Sequence, residues 1–162
     1  GTEPGARDRL VTKLLVAALI IQLVLGALYR HLQIPATETT PTHHPMLPLI
    51  GHISFSVVVL LMTIYTGTRM SQRNSTPMVK FFGQSILVLV CFQFLLGVIA
   101  FIAIIMRVNE IIPMWELIST SSHQANGALL LGVSVALAAL VQRSVTSSLD
   151  GQPLEDPQAS VA

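Results

Sequence analysis

The chain is predicted to be an all-α membrane protein, a bundle of four transmembrane helices built from two similar helical hairpins. Of its 162 residues, 52% are hydrophobic and 10% are charged, whereas ordinary soluble domains carry roughly 25% charged residues. Four apolar segments each have about the 20 residues needed to cross a bilayer. Inside lipid every backbone N–H and C=O must be satisfied internally, so apolar runs of this length form helices. The third observation is an internal repeat of Gln, Gly and His, described below.

The four predicted helices follow one another with polar or proline-containing connections between them. They cover residues 10–28, 46–65, 82–106 and 117–141. The first connection contains Pro35, Pro41 and Pro45, which are incompatible with a helix interior. The second connection is polar and basic, and the third is short and contains Pro113. We therefore expect antiparallel neighbours joined outside the membrane.

The chain divides into three parts by composition. Residues 1–9 are predicted to form a cytoplasmic segment, residues 10–143 the transmembrane domain, and residues 144–162 a cytoplasmic tail. The tail is rich in Ser, Pro, Gln and Asp, a composition typical of disorder.

The distribution of positive charge predicts the orientation in the membrane. Basic residues precede the first helix, fill the second connection and follow the fourth helix: Arg7, Arg9, Lys13, Arg69, Arg73, Lys80 and Arg143. The other two connections contain only Arg30 and Arg107. Because Lys and Arg accumulate on the cytoplasmic side, both termini are expected there.

A group of Gln, Gly and His occurs twice with the same spacing. Gln22, Gly26 and His52 recur 71 residues later as Gln93, Gly97 and His123. These residue types are uncommon inside apolar segments, so their matched order indicates a helical hairpin used twice. Each histidine lies six residues past the predicted start of its helix, which places both imidazoles about 9 Å below the outer boundary.

Two imidazoles at equal depth in helices of like direction favour a metal held between them. An ionisable residue within a membrane span indicates function, and haem iron takes ligands on its two axial faces. Zinc requires four ligands, or three with water, and few other donors are available. His52 and His123 are therefore predicted to be axial ligands of haem, with simple hydrogen bonding to a neighbour as the alternative for each.

The other polar residues near the predicted ligands are expected to support the site or to lie at the membrane interface. Arg30 and His31, at the outer end of the first helix, are candidates to contact haem propionates or to anchor the helix at the interface. His43 and His44 lie in the Pro/Thr-rich connection and are expected to be exposed. The glutamines are expected to form hydrogen bonds between helices.

The sequence lacks the motifs of several common function classes. The single cysteine, Cys91, excludes a disulfide within one copy of the chain and a cysteine-based metal site. Neither a phosphate-binding glycine motif nor a Gly-x-Ser-x-Gly nucleophile motif occurs. Without a surface that combines basic and aromatic residues, no nucleic-acid partner is expected.

The chain resembles the haem A synthase family. Residues 22–31, Gln-Leu-Val-Leu-Gly-Ala-Leu-Tyr-Arg-His, are similar to that family's segment at the end of a first helix. Residues 48–55, around His52, are similar to its second-helix histidine region, and residues 123–131 resemble its His-x-x-x-Gly-Ala-Leu-Leu-Leu segment. The resemblance extends over residues 10–141.

The resemblance implies part of an enzyme that oxidises the haem O methyl group to the formyl group of haem A for cytochrome oxidase assembly. It implies a bacterial inner-membrane location, haem O as substrate, haem O synthase as a partner, and a second four-helix half or a homo-oligomer. The family's substrate half usually has Glu one turn before its first histidine, where this chain has Leu49. The family's outer-loop cysteines are also missing. The chain is thus more similar to the half that binds a haem b cofactor.

Two other functions remain open on the sequence. One is a membrane cytochrome b that carries electrons without completing the oxidation. The other is a haem-free membrane assembly protein. The first would bind haem b without making haem A. The second would tolerate the loss of His52 and His123 with no change in its visible spectrum.

Overall fold

A computed structural model of the chain describes residues 4–32, 46–73, 76–106 and 113–150, without the side chains of 145–150. It contains four α-helices: α1 (Ala6–His31), α2 (Met46–Arg73), α3 (Pro77–Ile105) and α4 (Met114–Asp150). All four are long and apolar enough to cross a membrane. The predicted fold class, a transmembrane four-helix bundle, is confirmed.

The helices form a closed antiparallel ring. α1 packs against α2 and α4, and α3 packs against the same two helices. The bundle therefore has two ends. At the histidine end, α1 and α3 finish while α2 and α4 begin. At the terminal end, α1 and α3 begin while α2 and α4 finish.

The observed helices are longer than the apolar windows from which they were predicted. α4 begins at Met114, three residues before the predicted start, and continues through residues 144–150, which the sequence analysis assigned to the tail. α2 runs on to Arg73. Hydropathy marks only the part of a helix that suits lipid, whereas the helix itself continues into water until its hydrogen bonding ends. Residues 151–162 lie outside the described residues.

Local sequence explains where two of the helices begin. Gly5 precedes α1, and its backbone N–H donates to Asp8 Oδ2 at 2.8 Å, which satisfies one donor at the helix start. Thr76 precedes α3, whose first residue is Pro77. Proline suits the first turn because its missing N–H would have no partner there.

The interior is a narrow apolar core, and most large apolar side chains face outward. Leu15, Met70, Ile86, Leu130 and Leu137 are among the fully buried side chains. Many others are exposed, which is the pattern of a bundle whose outer surface contacts lipid. Several buried hydroxyls donate to a carbonyl of the preceding helical turn, as Thr63 Oγ1 does to Val59 at 2.7 Å, whereas the Thr66 hydroxyl has no partner among the described residues. This pairing removes the cost of a polar group in an apolar surrounding.

The α2–α3 hairpin closes through two glycines near the terminal end. A Cβ added at Gly83 would lie 2.9 Å from both Met70 Cβ and the Ser71 backbone nitrogen. One added at Gly67 would lie 2.9 Å from the Gly83 carbonyl oxygen. The two backbones therefore approach more closely than any residue with a Cβ allows.

An ion pair joins α1 to α2 at the terminal end. Arg69 Nε donates to Asp8 Oδ1, and both side chains are largely buried, at 16% and 9% exposure. The residues 71 positions later are Val79 and Leu140, so the second hairpin has no equivalent pair. The two hairpins therefore carry equivalent residues at the histidine end but not at the terminal end.

Candidate functional site

His52 and His123 meet across the diagonal of the bundle. They lie on α2 and α4, and their ring centres are 6.5 Å apart with the planes at 81° to each other. His52 is six residues past the start of α2 and His123 is nine past the start of α4. The imidazoles are brought together although α4 begins three residues before its predicted start, whereas α2 begins at Met46 as predicted. The two histidines therefore lie at different distances from the starts of their helices, yet their rings still meet.

Each imidazole packs against a glycine of its own hairpin. A Cβ added at Gly26 would lie 3.0 Å from His52 Cε1 and 3.2 Å from its Nδ1. One added at Gly97 would lie 3.0 Å from His123 Cε1 and 3.4 Å from its Nδ1. In both hairpins the same two ring atoms, Cε1 and Nδ1, lie nearest to the glycine. In the sequence these glycines are members of the repeat, and the structure shows that each contacts the histidine of its own hairpin.

A glutamine one turn from each glycine reaches the same ring. Gln22 Nε2 lies 3.5 Å from His52 Nε2, and Gln93 Nε2 lies 3.3 Å from His123 Nε2. The predicted hydrogen bonding between helices by both glutamines is therefore confirmed. In each ring, the edge that carries the nitrogens faces the first helix of its own hairpin.

The two rings retain unsatisfied polar atoms. Nδ1 of His52 and Nδ1 of His123 are buried and have no hydrogen-bond partner within the described part of the chain. A buried polar atom without a partner costs about 1–3 kcal/mol. The backbone of Gln22 lies near the His52 ring and that of Gln93 near the His123 ring, so part of this cost is relieved in both hairpins.

The separation of the two rings matches a metal centre held by two imidazoles, although their nitrogens face α1 and α3 and each ring would have to turn to bind it. A metal midway between the rings, with nitrogen–metal bonds of about 2 Å, requires ring centres roughly 6 Å apart, close to the observed separation. Nowhere among residues 4–32, 46–73, 76–106 and 113–150 do three or more His, Cys, Asp or Glu side chains gather as a metal site. A centre that takes only two protein ligands, as haem iron does, matches this donor set.

Arg30 and His31 lie at the histidine end but apart from the two rings. Both are exposed at the end of α1. Arg30 follows Gly26 by four residues and Gln22 by eight, so the three share one helix face. Neither Arg30 nor His31 has a hydrogen bond, ion pair or ring contact with either imidazole. His43 and His44 lie outside the described residues.

Asn126 is a site residue that the sequence analysis missed. Its Nδ2 donates to Gln93 Oε1 at 2.8 Å and to the Leu89 carbonyl at 3.0 Å. The available signal was an amide inside an apolar helix, one turn after His123 and on the same face. Its counterpart in the first hairpin is Phe55, so Asn126 is not part of the repeated pattern of Gln, Gly and His.

Comparison with known proteins adds no relative: no family model matches the chain, and no curated protein or solved structure matches it either.

Proposed function

We propose that this chain holds a b-type haem between His52 and His123, as the cofactor half of a haem A synthase-like membrane protein. The observation that carries the proposal is the repeated geometry at the histidine end. Two imidazoles from diagonal helices lie 6.5 Å apart, and each is set against a glycine and a glutamine at matching positions.

The residues of the chain have separate roles in this proposal. His52 and His123 would hold the haem iron, each through one imidazole nitrogen. Gly26 and Gly97 leave room for the imidazoles beside α1 and α3. Arg30, at the end of α1, would pair with a haem propionate, since guanidinium groups suit carboxylates, and His31 would lie beside the haem. When bound, haem supplies a one-electron iron couple whose potential depends on its axial ligands.

The enzymatic part of the proposal rests on the family resemblance. Leu49 stands where a substrate half has Glu, which favours a cofactor role for this site. Completion of haem O oxidation then requires a second four-helix half or a second copy of the chain, with haem O synthase as a partner. The location proposed is a bacterial inner membrane, with the termini cytoplasmic and the histidine end outward, as the basic residues favour.

The first experiment measures the reduced-minus-oxidised visible spectrum of the purified chain in detergent. The wild type should show a sharp low-spin b-type signal, and a His52→Ala, His123→Ala double variant should lose it. His44→Ala is the matched control and should keep the signal. A well-folded wild type that shows no haem signal when haem is supplied during expression would contradict the proposal and favour a haem-free assembly protein.

A second experiment separates the enzyme from an electron carrier. Membranes that contain the protein are supplied with haem O, and their haems are separated by chromatography. Accumulation of haem A that depends on His52 and His123 supports the synthase. Bound haem b without any haem A identifies a cytochrome b carrier.

A further inference from the structure

The two imidazoles are held by their glutamines in different ways. Gln22 Nε2 lies 3.0 Å from the His52 backbone carbonyl and 3.5 Å from the His52 ring, so its better hydrogen bond goes to the backbone. Gln22 Oε1 has no partner within the described residues. Gln93 Nε2 faces the His123 ring at 3.3 Å, and its oxygen accepts from Asn126.

The orientation of the Gln93 amide follows from a backbone group. The Leu89 carbonyl can only accept, so the Asn126 atom beside it must be the NH2 nitrogen. That same nitrogen donates to Gln93, so the Gln93 atom facing it must be the oxygen. The NH2 group of Gln93 therefore points to His123 Nε2, which accepts.

An accepting Nε2 is not free to bind a metal. A neutral imidazole has one lone-pair nitrogen and one N–H. With Nε2 accepting from Gln93, the proton of His123 lies on Nδ1, and neither nitrogen offers an unused lone pair. The Gln22 amide has no neighbour that fixes it as Asn126 fixes Gln93, so the His52 ring is held less firmly.

We propose that Asn126 and Gln93 form a latch that holds the His123 imidazole against α3 and must release it before a metal binds. His52 is then the first ligand to engage, and His123 joins second. The inference rests on the proposed haem function, but it concerns hydrogen bonds that exist without haem. Phe55, the counterpart of Asn126, has no hydrogen-bonding group, so the first hairpin has no such latch.

The latch predicts the direction of a mutational effect on haem binding. Haem-free protein in detergent is titrated with haemin, and the low-spin spectrum is followed. Asn126→Leu frees the Gln93 amide and should tighten haemin binding about fivefold, as expected for one competing hydrogen bond of about 1 kcal/mol. Gln93→Leu should change binding in the same direction. Phe55→Leu is the matched control and should leave the affinity unchanged.

A supporting role for the same residues predicts the opposite result. If Asn126 only orients a bound ligand, Asn126→Leu weakens haemin binding. A weaker or unchanged affinity in this variant would overturn the latch while leaving the haem proposal in place.

A measurement without haem tests the latch independently. The imidazole nitrogens of the wild type, labelled with nitrogen-15, are observed by NMR. His123 should be a single tautomer with the proton on Nδ1, and Asn126→Leu should convert it to a mixture. A mixture already present in the wild type would overturn the latch. If the wild type binds no haemin, the proposed function fails, and this spectrum still decides the latch.

Discussion

At the scale of single residues, the absence of a side chain matters as much as its presence. Gly26 and Gly97 each leave a space into which an imidazole from the next helix fits, at nearly the same atomic distances in both hairpins. Gly132, in α4, has nothing within 4 Å of an added Cβ. The glycines of this chain thus divide into those that touch the histidines or a backbone and those that do not.

This contrast predicts the effect of a single methyl group. Gly26→Ala and Gly97→Ala should each displace their imidazole by a few tenths of an ångström. Each should lower the free energy of unfolding by about 1 kcal/mol because of local overpacking, and each should reduce haem retention. Denaturant unfolding and the reduced visible spectrum measure the two effects.

Gly132→Ala is the matched control for both variants. Its added methyl meets open space, so stability and spectrum should not decline. If the three alanine variants behave alike, the imidazole contacts do not constrain these positions.

At the scale of helices, the α2–α3 hairpin depends on close backbone contact rather than on side-chain fit. An added Cβ at Gly83 meets the backbone nitrogen of Ser71 at 2.9 Å, and a backbone atom cannot turn away as a rotamer can. The ion pair between Asp8 and Arg69 joins the neighbouring α1–α2 hairpin at the same end. The terminal end is therefore closed by contacts that the histidine end does not repeat.

We expect Gly83→Ala to separate α2 from α3 near the terminal end. The variant should lose about 1–3 kcal/mol of stability, the usual cost of overpacking. Unfolding in mixed micelles by a denaturing detergent measures the loss against the wild type. A midpoint equal to that of the wild type would show that the two helices are free to move apart without cost.

At the scale of the whole molecule, the bundle is symmetric in architecture and asymmetric in charge. Helices of like direction carry the two imidazoles at one end, while basic residues such as Lys13, Arg73 and Arg143 collect at the other. Positive residues favour the cytoplasmic side, so the histidine end should face outward.

Labelling from one side of the membrane tests this orientation. In a Cys91→Ala background, Leu47→Cys places a thiol at a histidine-end position that is 83% exposed. Gln72→Cys places one at an exposed position of the terminal end. A maleimide that does not cross membranes should modify the first variant in intact cells and the second only in inverted vesicles. The reverse pattern would place the histidine end on the cytoplasmic side.

Much of the fold was determined by the sequence alone, because hydropathy and spacing are local properties. Four long apolar segments specify four helices wherever lipid is the solvent, and the interval of 71 residues identified the repeated hairpin and both histidines. The helix ends were less predictable, since caps such as Gly5 with Asp8 extend a helix beyond its apolar part.

Only the tertiary structure decided how the residues of the site are paired. The contact from Asn126 to Gln93 spans 33 positions, and that from Gln93 to His123 spans 30. Such contacts depend on the rotation and depth of packed helices, which periodicity does not specify. The hydrogen bonding of the two imidazoles also differs, because Gln22 donates to the His52 backbone carbonyl whereas Gln93 accepts from Asn126. The local sequence around the two glutamines is similar and does not predict this difference.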